Sequence, residues 1–320
     1  MPQPTPSDVH IDAALTNVSV AYVQDASNFI ADKVFPCIPV SKQSGKYWKY
    51  EKGAFFRDEA KRRAPGTESA GGGYKLGTDG YYCEKWAFHK DVDDDTVANS
   101  DAGIDPFRDA ATFCMNTLLI RRERLFMDEF MKTGVWGTDD VGGVNFGQWD
   151  DEVASDPNDD VKRARLKILG STGYRPNTLV VDIFTHEALK KHPLIQAKFA
   201  YSNAASITTA MLAAYFEVDN YYISQAIFTA SDETVVNPVM QFVAPKCALL
   251  CYSVKTPSLL QPTAGYTMTW AGLTGLNNMG ITTKRFRMEN IESERVENQL
   301  SIELKLVAAD MGYFFSGTVS

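Results

Sequence analysis

The chain is short of cationic charge, of histidine and of any long apolar run. Lys and Arg total 32 against 40 Asp and Glu, a formal net charge of -8 and a pI near 5.1. A dedicated nucleic-acid binder would carry the opposite sign. No apolar stretch approaches the roughly 20 residues needed to cross a bilayer. The N-terminus, MPQPTPSDVH, is polar and proline-rich, without the basic and then apolar segments of a signal peptide. Cysteine is sparse and odd in number, at Cys37, Cys83, Cys114, Cys247 and Cys251. That pattern fits reduced thiols in a cytosolic product, not a disulfide framework.

Signatures of chemistry are missing too. There is no GxxxxGK[ST] loop, no GxGxxG after a strand and no GxSxG elbow. The four histidines, His10, His89, His186 and His192, stand near no nucleophile motif. His186-Glu187 misses the zinc-helix spacing, because the second ligand would fall at Lys190. The run from Asp91 to Asp95 opens like a calcium loop but has Thr96 where glycine is needed and Ala102 where glutamate is needed. Cys247 and Cys251 share a strand face and lack a second ligand pair, so buried thiols are expected. No catalytic residue, cofactor or metal is predicted.

What the chain does have begins with residues 105–134, DPFRDAATFCMNTLLIRRERLFMDEFMKTG. Asp105 can cap a helix, Pro106 suits its first position, and Gly134 suits a left-handed C-cap. Ala111, Met115, Leu118, Leu119, Phe126 and Phe130 recur at helical spacing. Arg121, Arg122, Glu123 and Arg124 read as a solvated or partner-facing stripe opposite that face. A helix over 105–133 would be roughly 40 Å long, a strut for the rest of the chain.

Ahead of it lies the most unusual segment. Residues 34–40, VFPCIPV, are apolar but broken by prolines, hence extended and not a central strand. Residues 46–52 alternate aromatic with charged side chains, and residues 74–76 and 81–90 supply a second β-favouring run. The polar stretch between them contains Gly71, Gly72 and Gly73. Together they predict a long two-stranded hairpin, which is marginal in water without a surface to lie on. Its basic residues Lys42, Lys46, Lys49, Lys52, Arg57, Lys61, Arg62 and Arg63 precede acidic clusters at 91–109 and 139–160. Such opposite blocks can set register between copies; they can equally be solvated faces. Residues 1–30 fit an arm lying across something else or a frayed terminus.

Later residues predict helices over 158–170, 185–192 and 207–216. Strands are expected over 178–181, 221–228, 239–243, 248–254, 266–271, 282–288 and 299–307. Trp136 and Trp149 serve as anchors. The class is α+β, with no composition break that marks a linker.

Four stretches resemble one family in order. FPCIPVSKQSGKYWKYEKGAFFRDEAKRRAPGTES is similar to the extended loop of the tailed-bacteriophage major capsid protein, the Johnson fold. ANSDAGIDPFRDAATFCMNTLLIRRERLF resembles the approach to its spine helix, and GYRPNTLVVDIFTHEALKKHP the opening of its axial domain. VENQLSIELKLVAADMGYFFSG resembles its closing strands. The resemblance implies an N-terminal arm (1–40), an extended loop (41–88), a peripheral domain (89–157 with 276–320) and an axial domain (158–275). It implies hexamers and pentamers tiling an icosahedral shell around double-stranded DNA contacted non-specifically. Scaffolding, portal and decoration proteins are the implied partners. The particle would form in the cytoplasm of a bacterial host, with no membrane and no enzymatic step. Lys46, Trp48, Lys49, Phe55, Phe56, Arg57, Lys61, Arg62 and Arg63 would then dock on Asp93, Asp94 and Asp95, or on the 150–160 cluster, of a neighbour. An encapsulin-type compartment and another virion protein such as a tail-tube subunit are the alternatives. A β-rich enzyme or sugar-binding module, with Trp136, Trp149 and Trp270 as platforms, is a third.

Overall fold

A computed structural model describes residues 24–100, 105–200, 207–232, 234–254, 256, 261–274 and 280–320. The arm residues 1–23 lie outside the described residues, so the expectations placed on them are not addressed by it.

The long helix runs Pro106–Phe130, about 37 Å at 1.5 Å per residue. The Asp105 carboxylate accepts from the N–H groups of Phe107 and Arg108 at 3.1 and 3.2 Å. The helix stops three residues short of the expected end. Trp136 donates its indole N–H to the Phe130 carbonyl at 2.7 Å, taking an acceptor of the last turn, and Met131 leaves helical geometry. Gly134 does adopt a positive φ of 84°, but in the following turn, where its N–H meets the Asp139 carboxylate.

The charged stripe is where the sequence reading fails most clearly. Arg122 and Glu123 are 1% and 0% exposed. Arg121 stacks on Trp86 at 4.2 Å and Arg124 on Phe228 at 4.5 Å. Counted from Leu119, residues 122, 123 and 126 return to the same side of a helix, so their position puts them in the core. One Glu123 carboxylate oxygen accepts the N–H groups of both Ile30 and Ala31 at 3.0 Å. It thereby caps the short helix Ala31–Val34. Arg122 lies 3.6 Å from Asp32 of that helix.

Strands follow in chain order. Cys37–Val40 (β1) is an edge strand, as its proline requires. Ser44–Tyr50 (β2) and Leu76–Tyr82 (β3) form the hairpin. Glu84–Asp93 (β4) does not belong to it, contrary to the reading of residues 81–90 as its returning strand. The chain changes partner at Cys83, which is fully buried and bonds by its N–H to Gln43. β4 then pairs along Ser293–Leu306, the thirteenth strand.

Thr138–Val141 (β5), Thr178–Asp182 (β6), Asn220–Ser224 (β7), Ile227–Thr229 (β8), Met240–Phe242 (β9) and Cys247–Cys251 (β10) come next. Gly265–Trp270 (β11), Ile281–Met288 (β12), Ser293–Leu306 (β13) and Gly312–Ser316 (β14) complete the set. The single strand expected over 221–228 is two, separated at the buried Ala226. Pro193 ends the helix Ile183–Lys191 and also opens the next, Pro193–Phe199, at the position where its missing N–H costs nothing.

Two sheets carry the body. In one, β13 pairs with β12 and β11 in succession along one side and with β4 along the other, β1 lies outside β11, and the long helix crosses it. The other, β5-β14-β10-β6-β7, is buried on both faces. Cys247, Leu249, Cys251, Val180 and Phe314 face the cluster of Phe35, Phe126, Phe130 and Trp136. Ala248, Leu250, Leu179, Val181, Tyr313 and Phe315 face Trp149 and the helix Pro157–Thr172. That is why residues 178–181 read as a continuous apolar run without alternation. The thiols of Cys247 and Cys251 sit on one face as expected, and burial pushes both up.

Gly312 sits where the two cores meet. A Cβ there would lie 2.0–2.7 Å from the Trp136 ring, and that ring is buried and tethered through its N–H. Gly312→Ala should therefore cost about 1–3 kcal/mol through overpacking, read as a lowered urea midpoint with an unchanged slope.

Candidate assembly interface

The hairpin is the part of the chain with exposed chemistry. Alternation along β2 sends Lys46 and Trp48 to one side and Tyr47 to the other. Tyr47 donates its hydroxyl to Asp79, its cross-strand partner, at 3.0 Å. Burial, and then that hydrogen bond, push the Tyr47 phenol well above its usual range. At the base, the Tyr82 N–H donates to the Glu303 carboxylate and Lys305 lies 3.5 Å from Asp79. Burial raises the Glu303 carboxyl above its ordinary value. The root of the hairpin is thus clasped to β13.

Beyond β2 the helical turn Lys52–Phe55 folds back over the body. Lys52 pairs with Asp310, and the Phe56 ring sits over Gly173 at the end of the helix Pro157–Thr172. Tyr50, Phe55 and Tyr74 form an aromatic trio with centroids 5.7–5.9 Å apart. Even so, Trp48, Phe55 and Phe56 remain 60%, 55% and 62% exposed. Three large aromatic groups thus stand half in water on one loop.

The charged residues sort into two groups. Arg57 pairs loosely with Glu59 at 3.8 Å and Arg63 donates to the Thr67 carbonyl. Lys46, Lys49, Lys61 and Arg62 are exposed and make no ion pair among the described residues. No ion pair joins any of them to Asp93, Asp94 or Asp95 within the described chain.

Most acidic residues turn out to have local work. Asp91 forms a two-point pair with Arg295 at 2.7 and 2.8 Å, and Asp94 another with Arg287 at 2.5 and 2.7 Å. The facing guanidinium holds each carboxyl below its usual range. Asp93 accepts from the Thr96 hydroxyl at 2.9 Å; Asp95 is exposed. In the later cluster, Asp151 and Asp156 cap the turns that follow them. Asp160 takes the Trp149 indole N–H at 3.0 Å and Arg163 at 3.1 Å. Asp140 takes Arg163 at 2.9 Å and the Tyr313 hydroxyl at 2.6 Å.

One cleft, with a volume of about 520 Å³, is lined by Trp149, Glu152, Glu187, Lys191 and His192 among others. Beside it His192 Nε2 lies 3.0 Å from the Ser155 hydroxyl. That hydroxyl donates its single proton to the Asp151 carbonyl at 2.6 Å, so the imidazole must be the donor to it. The pair fastens a loop and does not activate a nucleophile. Burial depresses the His192 pKa, in keeping with a neutral ring.

No family model matches the chain. Two curated proteins match it from end to end. The major capsid protein of Burkholderia phage BcepMu is 24% identical over 313 residues, covering 96% of each chain. That of Pseudomonas phage JBD67 is 24% identical over 326 residues, covering 97% of each. Among solved structures, a phage-related protein from Bordetella bronchiseptica RB50 aligns with a TM-score of 0.68 at 24% identity, over 92% of this chain and 94% of its own. The capsid of cyanophage P-SCSP1u gives 0.59 at 11%, over 93% and 90%. The SrpI encapsulin of Synechococcus elongatus PCC 7942 gives 0.59 at 11%, over 97% and 96%. The fold is the Johnson fold of phage capsids, as the order of elements along the sequence implied.

Proposed function

We infer that this chain is the major capsid protein of a tailed bacteriophage, a structural subunit of which many copies build a shell. The end-to-end match to two major capsid proteins carries that reading. The exposed hairpin aromatics support it, since a partner surface is what such a loop lacks. Encapsulins share the fold, but the likeness there is 11% in sequence.

In this reading the subunits form hexamers and pentamers of a closed icosahedral shell around double-stranded DNA, assembled in the host cytoplasm with scaffolding, portal and decoration proteins. Residues 41–88 are the loop laid over a neighbour, residues 89–157 and 276–320 the peripheral part, and residues 158–275 the axial part. Work is done by association, not by a reaction at a site. The net charge of -8 keeps the inner wall from gripping packaged DNA through released counterions.

Negative-stain microscopy and sedimentation of the purified chain test this directly. Closed shells or capsomer rings are expected, weakening as salt screens the loop charges. A monodisperse monomer at every salt and protein concentration, both alone and when made together with a scaffolding protein, overturns the reading. Particles that form in cells and hold protein cargo without nucleic acid would favour the encapsulin alternative.

A further inference from the structure

Exposed apolar groups gather at two opposite ends of the sheet β5-β14-β10-β6-β7. At the end where β6 begins, the Phe56 ring stands over Gly173, and Lys52 pairs with Asp310 just ahead of β14. At the other end β6 stops at Asp182, and Phe184 follows it with about half its surface in water. The Phe184 ring lies 5.3 Å from Phe242 of β9. The β8–β9 hairpin belongs to neither main sheet and leaves Val236, Val239 and Met240 92%, 74% and 56% exposed. Its register pairs Ile227 with Phe242 and Thr229 with Met240, which sets these four side chains on the face that Phe184 adjoins. The opposite face is covered where Arg124 stacks on Phe228.

The two ends also differ in charge. Phe184 lines the cleft that holds Asp150, Glu152 and Glu187 against Lys191 and Lys246. Lys246 is taken by the Ser320 carbonyl, and Glu152 makes no ion pair among the described residues. The end that carries the long hairpin is basic, with Lys46, Lys49, Lys61 and Arg62 in no ion pair among the described residues. One chain does not bring the two ends together. β6 is five residues long, so they stand roughly 15 Å apart. The hairpin root is clasped to β13, and Phe56 is seated at its own end over Gly173. An apolar acidic end and an apolar basic end are complements that a second copy can join.

We propose that Phe184, Val236, Val239, Met240 and Phe242 receive the hairpin aromatics Trp48, Phe55 and Phe56 of a neighbouring copy. The Glu152 carboxylate then faces one of that copy's free hairpin cations. This rests on the capsid reading and names the surface on which its loop lies. The contact is head-to-tail: each copy gives its hairpin at one end and receives another at the opposite end, so repetition closes rings. Apolar burial holds the contact, and the charges set its register.

The test uses the full-length chain, made alone and with a scaffolding protein, and two variants. Val236→Lys with Met240→Lys breaks the receiving end; Trp48→Ser with Phe55→Ser and Phe56→Ser breaks the hairpin. Neither should build rings or shells alone, and both should keep the parent's urea midpoint. Mixed and cross-linked with glutaraldehyde, they should give a one-to-one complex that grows no further, because one intact hairpin meets one intact receiving end. Peroxide should oxidise Met240 about tenfold more slowly in parent shells than in the unassembled parent. Shells from the lysine variant at the parent concentration, or no mixed complex, would overturn the proposal and leave the capsid reading standing. So would Met240 equally protected in the unassembled chain, since its own chain then covers it. Dimers of the hairpin variant alone would do the same, since two receiving ends then pair with each other. A parent that builds neither rings nor shells overturns both.

Discussion

Glu123→Ala should destabilise the folded subunit by about 2–5 kcal/mol, since it strands two buried N–H donors and deprives Arg122 of a facing charge. The donors are Ile30 and Ala31, so the loss falls on the attachment of residues 30–35 to the long helix. Phe35 should leave its place against Phe126 and Phe130, now 5.2 and 4.9 Å away. Glu123→Gln keeps an acceptor and should cost less.

The same residue sets a pH dependence of unusual sign. Burial pushes the Glu123 carboxyl from 4.5 up to about 7, against the two N–H groups and Arg122, which favour the ionised form. Its other oxygen has no hydrogen-bond partner, which leaves it free to carry a proton. Between pH 4.5 and 7 the folded chain keeps a proton that the unfolded chain has released, so this group's contribution is full below pH 4.5 and is lost as pH rises through 7. The span corresponds to about 3 kcal/mol. Across pH 4.5 to 8, the urea midpoint of the parent should fall relative to that of Glu123→Gln as pH rises. Parallel profiles would show that Glu123 does not titrate in that window.

Trp48→Ser, Phe55→Ser and Phe56→Ser combined should abolish shell formation and leave the subunit's urea midpoint within about 1 kcal/mol of the parent, because exposed positions contribute little to the fold. In the proposed shell each aromatic buried against a neighbour contributes about 2 kcal/mol, and losing one raises the concentration needed for assembly about 30-fold. Three together put it out of reach. Arg62→Glu with Arg63→Glu should act more weakly and mainly at low salt, as exposed pairs give about 0–1 kcal/mol each. Shells from the triple serine variant at the parent concentration would remove the hairpin from the interface.

Local signals carried much of the architecture. The helix Pro106–Phe130 announced itself through Asp105, Pro106 and apolar spacing, and β2 through its alternation of aromatic and charged residues. Glu123 was misread because its charge outweighed its phase in the helix. The acidic cluster at 139–160 was read as a surface although Asp151 and Asp156 each stand just before a turn or helix, the capping position. The partner of β4 was not legible at all. Its register with β13 is fixed by pairing across some two hundred residues, and no window of sequence contains both. The hairpin's exposed aromatics were legible as a loop needing a surface; which surface receives them is a property of the assembly and not of one chain.

β13 is hydrogen-bonded on both sides, to β4 on one and to β12 and β11 on the other. During synthesis, therefore, β4 leaves the ribosome with no strand to join until residues 293–306 have emerged. At about 5–20 residues per second that interval is roughly 10–40 s. Only then do Glu303 and Lys305 arrive to clasp the root of the hairpin. A chain that stops before them lacks the contacts that hold the hairpin root to β13.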